Sequence, residues 1–99
     1  MPFQDPELVD SPRAKFQLER VVLNRGEHSN SYCLGRWEGR PVIGFRWNGG
    51  GEQPKGNPLS RGFPTWTIMD AQDYPVLVTL FPLEEQAYAR EFLRISPRS

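Results

Sequence analysis

The chain contains one histidine and one cysteine, His28 and Cys33, five residues apart. A cysteine–histidine nucleophilic pair needs hydrogen-bond reach and a third group that orients the imidazole, and Glu27 or Asn30 is of the right type for that role. A loop histidine and a small cysteine packed against glycine explain the same residues more simply. His28 is therefore a candidate for proton transfer, and no catalytic residue is assigned. The spacing of His28, Cys33 and the carboxylates matches no recognised zinc site, so we expect no metal and no cofactor.

Arginine is the main cation of the chain, since ten of the twelve basic residues are arginine. Its planar guanidinium binds carboxylate or phosphate in two places and stacks on aromatic rings, which lysine does not do. The net charge of zero is the sum of unlike segments: −3 over residues 1–12, +5 over 13–62 and −2 over 63–99. This pattern predicts an anion-recognising surface in the central segment. The alternative is that these arginines are only solvated surface residues.

Seven residues of the central segment are the candidate binding residues: Arg25, Arg36, Trp37, Arg40, Arg46, Lys55 and Arg61. Proteins that bind single-stranded nucleic acid combine a basic groove with aromatic platforms, and Trp and Arg are also favoured anchors of protein interfaces. The isoelectric point of 6.6 lies below the value typical of nucleic-acid-binding domains. We expect an anionic partner, either nucleic acid or an acidic protein surface, and a homodimer is a further alternative.

A glycine- and proline-rich segment, residues 48–64, has no periodic apolar pattern. It is not a phosphate-binding P-loop, because Lys55 precedes Gly56 and no helix can begin at the Asn-Pro that follows. Long segments of this kind inside a small domain are usually functional or disordered. The sequence therefore predicts a mobile loop that carries Lys55 and Arg61 to a partner.

Alternating apolar residues predict five strands, over residues 15–23, 31–37, 40–47, 65–69 and 76–81. The last of these runs is also compatible with a helical turn. Pro82 followed by two glutamates predicts the start of a C-terminal helix that ends before Pro97. The expected fold class is α+β and mostly β. It is a small antiparallel sheet of about five strands, flat or curled into a partly open barrel, with one C-terminal helix packed on it.

The second and third predicted strands form a hairpin if Glu38 and Gly39 are a two-residue turn, and facing residues then have numbers that sum to 77. One face of this hairpin is apolar and is predicted to face the core: Tyr32, Leu34, Ile43, Phe45 and Trp47. The opposite face is predicted to face solvent or a partner: Cys33, Gly35, Trp37, Arg40, Val42, Gly44 and Arg46.

The length of 99 residues predicts one domain. We assign residues 1–15, which are acidic and rich in proline, to a flexible arm and residues 16–96 to a single globular domain. No run of about 18 apolar residues is present, and the first residues lack the pattern of a signal peptide. We therefore expect a cytoplasmic protein without membrane contact.

The function that these features favour is a small non-enzymatic binding module. It would use the arginine- and tryptophan-bearing sheet face and the mobile loop to bind an anionic partner. One alternative is a homo-oligomeric structural or interaction protein with no small ligand. Another is a small ribonuclease-like toxin, in which Arg46 or Arg61 would hold phosphate and His28 or a carboxylate would transfer protons.

Overall fold

A four-stranded antiparallel sheet with helices on one face is the main feature of the fold. The structure is a computed structural model, and it describes residues 3–95. The strands are β1 (Phe16–Asn24), β2 (Asn30–Trp37), β3 (Arg40–Trp47), β4 (Leu59–Ser60), β5 (Phe63–Pro64) and β6 (Thr67–Ile68). The α-helices are α1 (Tyr74–Val78) and α2 (Leu83–Leu93). The sheet has the order β1–β2–β3–β6, and β4 and β5 form a separate small hairpin. The α+β class, the antiparallel sheet and the C-terminal helix are confirmed, and the sheet is open rather than closed into a barrel.

The β2–β3 hairpin has the predicted register. Trp37 pairs with Arg40 beside the turn, and Asn30 pairs with Trp47 at the far end. The turn residues Glu38 and Gly39 both have positive φ, 51° and 86°. This is the backbone of the two-residue turn whose twist matches that of the adjoining strands. The number-sum rule therefore predicted every residue pair of the hairpin correctly.

Strand β1 changes the face on which its apolar residues lie. Its pairing with β2 is irregular between Leu18 and Arg20 and again between Val21 and Leu23. An extra residue at a bulge reverses the alternation of side chains that follows it. Phe16 is consequently buried on one face of the sheet and Val22 on the other.

The larger core lies between the sheet and the two helices, and its buried members are Val22, Tyr32, Leu34, Ile43, Tyr74, Leu77, Val78, Phe81 and Ala89. The predicted strand over residues 76–81 is wrong, and the helical-turn alternative is correct. Pro75 occupies the first turn of α1, where its fixed φ suits a helix. Thr79, Leu80 and Phe81 then bond to carbonyls three residues earlier, so these apolar residues follow a helical period rather than a strand period.

A second core covers most of the hairpin face that was predicted to face solvent or a partner. That prediction is wrong for the five buried residues Cys33, Gly35, Val42, Gly44 and Arg46, whereas Arg40 beside the turn is exposed. The buried members of this second core are Val9, Phe16, Cys33, Val42 and Trp66. Glycine makes this packing feasible, because a Cβ on Gly35 would lie 2.6 Å from the Phe16 ring and one on Gly44 would lie 3.1 Å from Cβ of Trp66. The indole of Trp66 also donates a 2.6 Å hydrogen bond to the carbonyl of Val9.

The N-terminal segment is part of this second core. Val9 is 1% exposed, Gln4 N–H donates to the carbonyl of Asn48 at 2.9 Å, and Ser11 forms a parallel bridge with Thr65. Residues 3–11 therefore lie against the domain that the sequence assigned to residues 16–96. The mobility of the segment stays a prediction.

Helix α2 ends at a left-handed residue rather than at a proline. Arg94 has φ of 59°, and the N–H of Ile95 donates to the carbonyl of Arg90 at 2.8 Å. This is the common pattern in which a left-handed residue satisfies the last carbonyls of a helix. Pro97, the predicted stop, lies outside the described residues. Over residues 3–95, neither helix has the length and apolar character needed to cross a membrane.

Candidate functional site

A cleft of about 570 Å³ lies where the C-terminal half of α2 passes the turn end of the β2–β3 hairpin. This volume is within the ~300–1,000 Å³ range of ligand pockets in proteins. Five charged side chains line it, namely Glu19, Arg36, Arg40, Glu91 and Arg94. The rings of Tyr88 and Phe92 form part of its wall. Strands β1, β2 and β3 and helix α2 thus all contribute residues to one concave surface.

Two arginines and two aromatic rings form a ladder along this wall. Tyr88 and Phe92 are four residues apart on α2, so both project from the same side of the helix, and their rings stack at 6.1 Å with an angle of 19°. The guanidinium of Arg20 lies 4.6 Å from the Tyr88 ring, and that of Arg36 lies 4.7 Å from the Phe92 ring. A cation–π contact uses the face of the guanidinium and leaves its in-plane N–H donors available. Arg36 is therefore held in place with its donors still able to bind an anion.

Two of the acids around the cleft already have partners. Glu85 pairs with Arg20 at 3.3 Å, and Glu19 accepts a hydrogen bond from the hydroxyl of Tyr88. The hydrogen bond to Glu19 is the main reason that the pKa of Tyr88 lies above its ordinary value, and partial burial adds to it.

The three arginines of the cleft are not neutralised in this way. Among residues 3–95, no carboxylate lies within 4 Å of the guanidinium of Arg36, Arg40 or Arg94. Burial raises the pKa of the neighbouring Tyr74 phenol, while Arg40 acts in the opposite direction. The charge of Arg40 therefore affects Tyr74, a residue of the larger core, as well as the cleft. The cleft has three cations and two acids, Glu19 and Glu91, and so it is net positive.

Arg46 lies elsewhere, and its predicted place on an exposed face is wrong. Its side chain is fully buried, because residues 48–64 fold over it. The guanidinium donates to the carbonyl of Thr65 at 2.5 Å and to the carbonyl of Lys55, and burial lowers the pKa of Arg46 to about 10. Arg46 joins the long loop to the sheet and is not accessible to a ligand or to phosphate. Trp37 is half-buried and packs against the second core.

The remaining predicted cations lie at the opposite end of the hairpin from the cleft. Arg25 is exposed in the connection between β1 and β2, and Arg61 is in the turn of the β4–β5 hairpin. The Lys55 ammonium donates to the carbonyl of Gly62 at 3.0 Å. The structure therefore separates the predicted site residues: Arg36 and Arg40 lie together in the cleft, whereas Arg25, Lys55 and Arg61 belong to loops at the other end.

His28 and Cys33 lie in different environments. His28 is exposed, has φ of 61° and lies 3.5 Å from the Glu27 carboxylate. Cys33 is fully buried in the second core, and burial raises the pKa of its thiol, against a smaller opposing effect of a backbone hydrogen bond at Gly44. A buried neutral thiol is not a nucleophile. In the part of the chain that the structure describes, no three His, Cys, Asp or Glu residues are grouped as a metal site.

The sequence did not indicate the helix side of the cleft. The sequence analysis assigned no binding role to Tyr88, Phe92 or Arg94. The four-residue spacing of Tyr88 and Phe92 was the available signal, but which strand residues they meet depends on how the helix crosses the sheet. Comparisons with models of protein families, with curated proteins and with solved structures found no match. The function is therefore inferred from the geometry of this chain.

Proposed function

We propose that this protein is a small binding module and that the cleft binds an anionic segment of another protein. The observation that carries the proposal is Arg36, which is held over Phe92 and has no carboxylate within 4 Å among residues 3–95. An arginine that is already ordered loses less side-chain freedom when it forms a bidentate contact. Arg40 and Arg94 supply two further cations on the same surface.

Two features favour an acidic protein segment over a nucleic acid. A base needs a free ring face for stacking, but each ring of the wall already has two partners: the other ring at 6.1 Å, and an arginine, which is Arg20 for Tyr88 and Arg36 for Phe92. Glu19 and Glu91 also line the cleft and would repel a continuous chain of phosphates. A peptide presents separate carboxylates, and its N–H groups can bond to the two glutamates. The chemistry of the cleft therefore fits discrete carboxylates best.

Fluorescence anisotropy with a labelled peptide of alternating glutamate and serine, in low salt, tests this proposal. The wild type should bind it in a salt-sensitive manner. Arg36→Ala should weaken binding at least about tenfold, since loss of one charge-assisted contact to a carboxylate corresponds to ~1.5–3 kcal/mol, and Arg36→Lys should also weaken it. The matched control is Arg25→Ala, which removes the same charge at the opposite end of the hairpin. Circular dichroism establishes that each variant is folded.

Two results would contradict the proposal. In the first, Arg36→Ala and Arg25→Ala weaken peptide binding equally, so that only net charge matters. In the second, a single-stranded oligonucleotide of about 15 nucleotides binds more tightly than the peptide and with a steeper dependence on salt. The second result would assign the cleft to nucleic acid.

A further inference from the structure

An apolar surface lies outside the cleft, where α1 continues into α2. Val76, Leu80 and Leu83 are 66%, 45% and 82% exposed. Residues 76–83 also include Leu77, Val78 and Phe81, which are buried in the larger core. The exposed side chains of Val76, Leu80 and Leu83 are not part of that core. We call the surface of residues 76–83 the shoulder. Exposed apolar side chains that occur singly need no explanation, whereas three in consecutive turns are typical of an interaction surface.

The shoulder is bordered by acidic residues. Asp70 and Asp73 precede α1, and Glu84 follows Leu83; all three are exposed. Residues 70–85 contain no lysine or arginine. Among the described residues, the one ion pair of this segment joins Glu85 to Arg20, and the exposed acids form none. The surface therefore has an apolar centre and an anionic border.

We propose that the shoulder binds a basic amphipathic helix of another protein. The apolar face of such a helix would cover Val76, Leu80 and Leu83, and its flanking lysines or arginines would meet the acidic border. Helices commonly bind by placing an apolar stripe on an apolar surface, and complementary charges at the border select the partner. A second copy of this chain does not offer such a helix, because over residues 3–95 its other large exposed apolar residues, Leu8, Leu59 and Phe63, lie outside α1 and α2. The shoulder would attract cations and the cleft anions, so this proposal does not rest on the proposed function of the cleft.

The test uses two synthetic helical peptides of 14 residues. Their leucines are spaced alternately three and four residues apart, so that they lie on one face of the helix. The other positions are lysine in one peptide and glutamate in the other. Titration calorimetry is carried out in the Arg36→Ala background, because the proposed cleft would itself attract the glutamate peptide. It should show that this protein binds the lysine peptide and not the glutamate peptide. Leu80→Gln combined with Leu83→Gln should weaken that binding about tenfold or more, whereas the control Leu59→Gln, an exposed leucine of β4, should leave it unchanged. The substituted residues are exposed, so the variants should fold like the wild type, which circular dichroism checks.

Charge reversal provides the second arm of the test. In the same Arg36→Ala background, Asp73→Lys combined with Glu84→Lys should reverse the preference, so that this variant binds the glutamate peptide and not the lysine peptide. The proposal is overturned if the Arg36→Ala protein binds neither peptide, if it binds both equally, or if adding the double glutamine substitution leaves its binding of the lysine peptide unchanged. It is also overturned if sedimentation shows a wild-type dimer that the double glutamine variant abolishes, because the shoulder would then be covered by a second copy.

Discussion

Substitution of Arg46 by methionine removes the buried guanidinium while keeping an unbranched side chain about as long as the arginine as far as Nε. In the wild type, the guanidinium donates to the carbonyls of Thr65 and Lys55, and its Nε has no hydrogen-bond partner within the described residues. The substitution therefore has two opposing effects. It leaves two carbonyls without their donor, and it removes the desolvation penalty of the charge.

The carbonyls dominate this balance. A buried polar group that loses its partner destabilises a protein by about 1–3 kcal/mol, so two of them correspond to about 2–6 kcal/mol. Removal of the buried charge offsets part of this, because burial already disfavours the cation and lowers the pKa of Arg46 to about 10. We expect a net loss of about 2–4 kcal/mol from the free energy of unfolding.

Urea denaturation followed by tryptophan fluorescence measures this loss, because Trp66 adjoins Thr65, one of the residues that Arg46 holds. The control is Arg25→Met, which changes an exposed arginine and should alter the free energy of unfolding by less than about 0.5 kcal/mol. Native-state digestion by trypsin should also be faster in Arg46→Met, since Lys55 and Arg61 lie in the loop that Arg46 anchors. A methionine variant as stable as the wild type, or more stable, would refute the reasoning, because desolvation would then outweigh the two hydrogen bonds.

Three further predictions concern other parts of the molecule. Val9→Ala should destabilise the protein by about 1–3 kcal/mol in urea denaturation, because Val9 is buried in the second core; no change would place the N-terminal segment outside the stable domain. Cys33 should resist a thiol reagent in the native protein and react rapidly in denaturant, since burial raises its pKa and excludes the reagent; complete labelling of folded protein within minutes would contradict this. Tyr88 should ionise above the ordinary tyrosine pKa of ~10 in an absorbance titration, and Glu19→Gln should lower that pKa, because the carboxylate favours the protonated phenol. As pH rises above 10, Tyr88 ionises in the unfolded chain before it does so in the folded protein. The hydrogen bond between Tyr88 and Glu19 therefore contributes to stability below that pH, and this contribution is lost above it. Equal stability of the wild type and Tyr88→Phe at every pH on both sides of 10 would argue against the contribution.

The β2–β3 hairpin could be predicted from the sequence because all of its determinants are local. Alternation of apolar residues and a glycine at the second turn position define a register when the loop has two residues. The same alternation assigned the second face of the hairpin to solvent or a partner. That assignment was wrong because its cover comes from far along the chain: the bond between Trp66 and Val9 joins residues 57 apart, and Val9 lies in a proline-rich acidic segment.

The candidate site shows the same limit. Arg36 and Arg40 were selected by residue type, and the structure brings both into the cleft. Arg46 was selected by the same criterion, but a glycine-rich loop folds over its side chain. The loop can approach this closely because Gly56 has no side chain: a Cβ at that position would lie 2.8 Å from the Arg46 guanidinium. The helix side of the cleft depends on the contact of Tyr88 with Glu19, and these two residues are 69 positions apart in the chain. Composition and spacing therefore identify candidate residues, whereas the packing of helix on sheet decides which of them share a surface.

A heteronuclear NMR titration with the glutamate–serine peptide locates the anion-binding site, because it compares the two basic regions of the molecule in one experiment. We expect the largest shifts in backbone resonances at the turn end of the hairpin and at the end of α2, around Arg36, Gly39 and Arg94. Residues near Arg61 in the β4–β5 turn should shift little. Largest shifts around Lys55 and Arg61, with the end of α2 unchanged, would contradict the claim that the cleft is the anion-binding site.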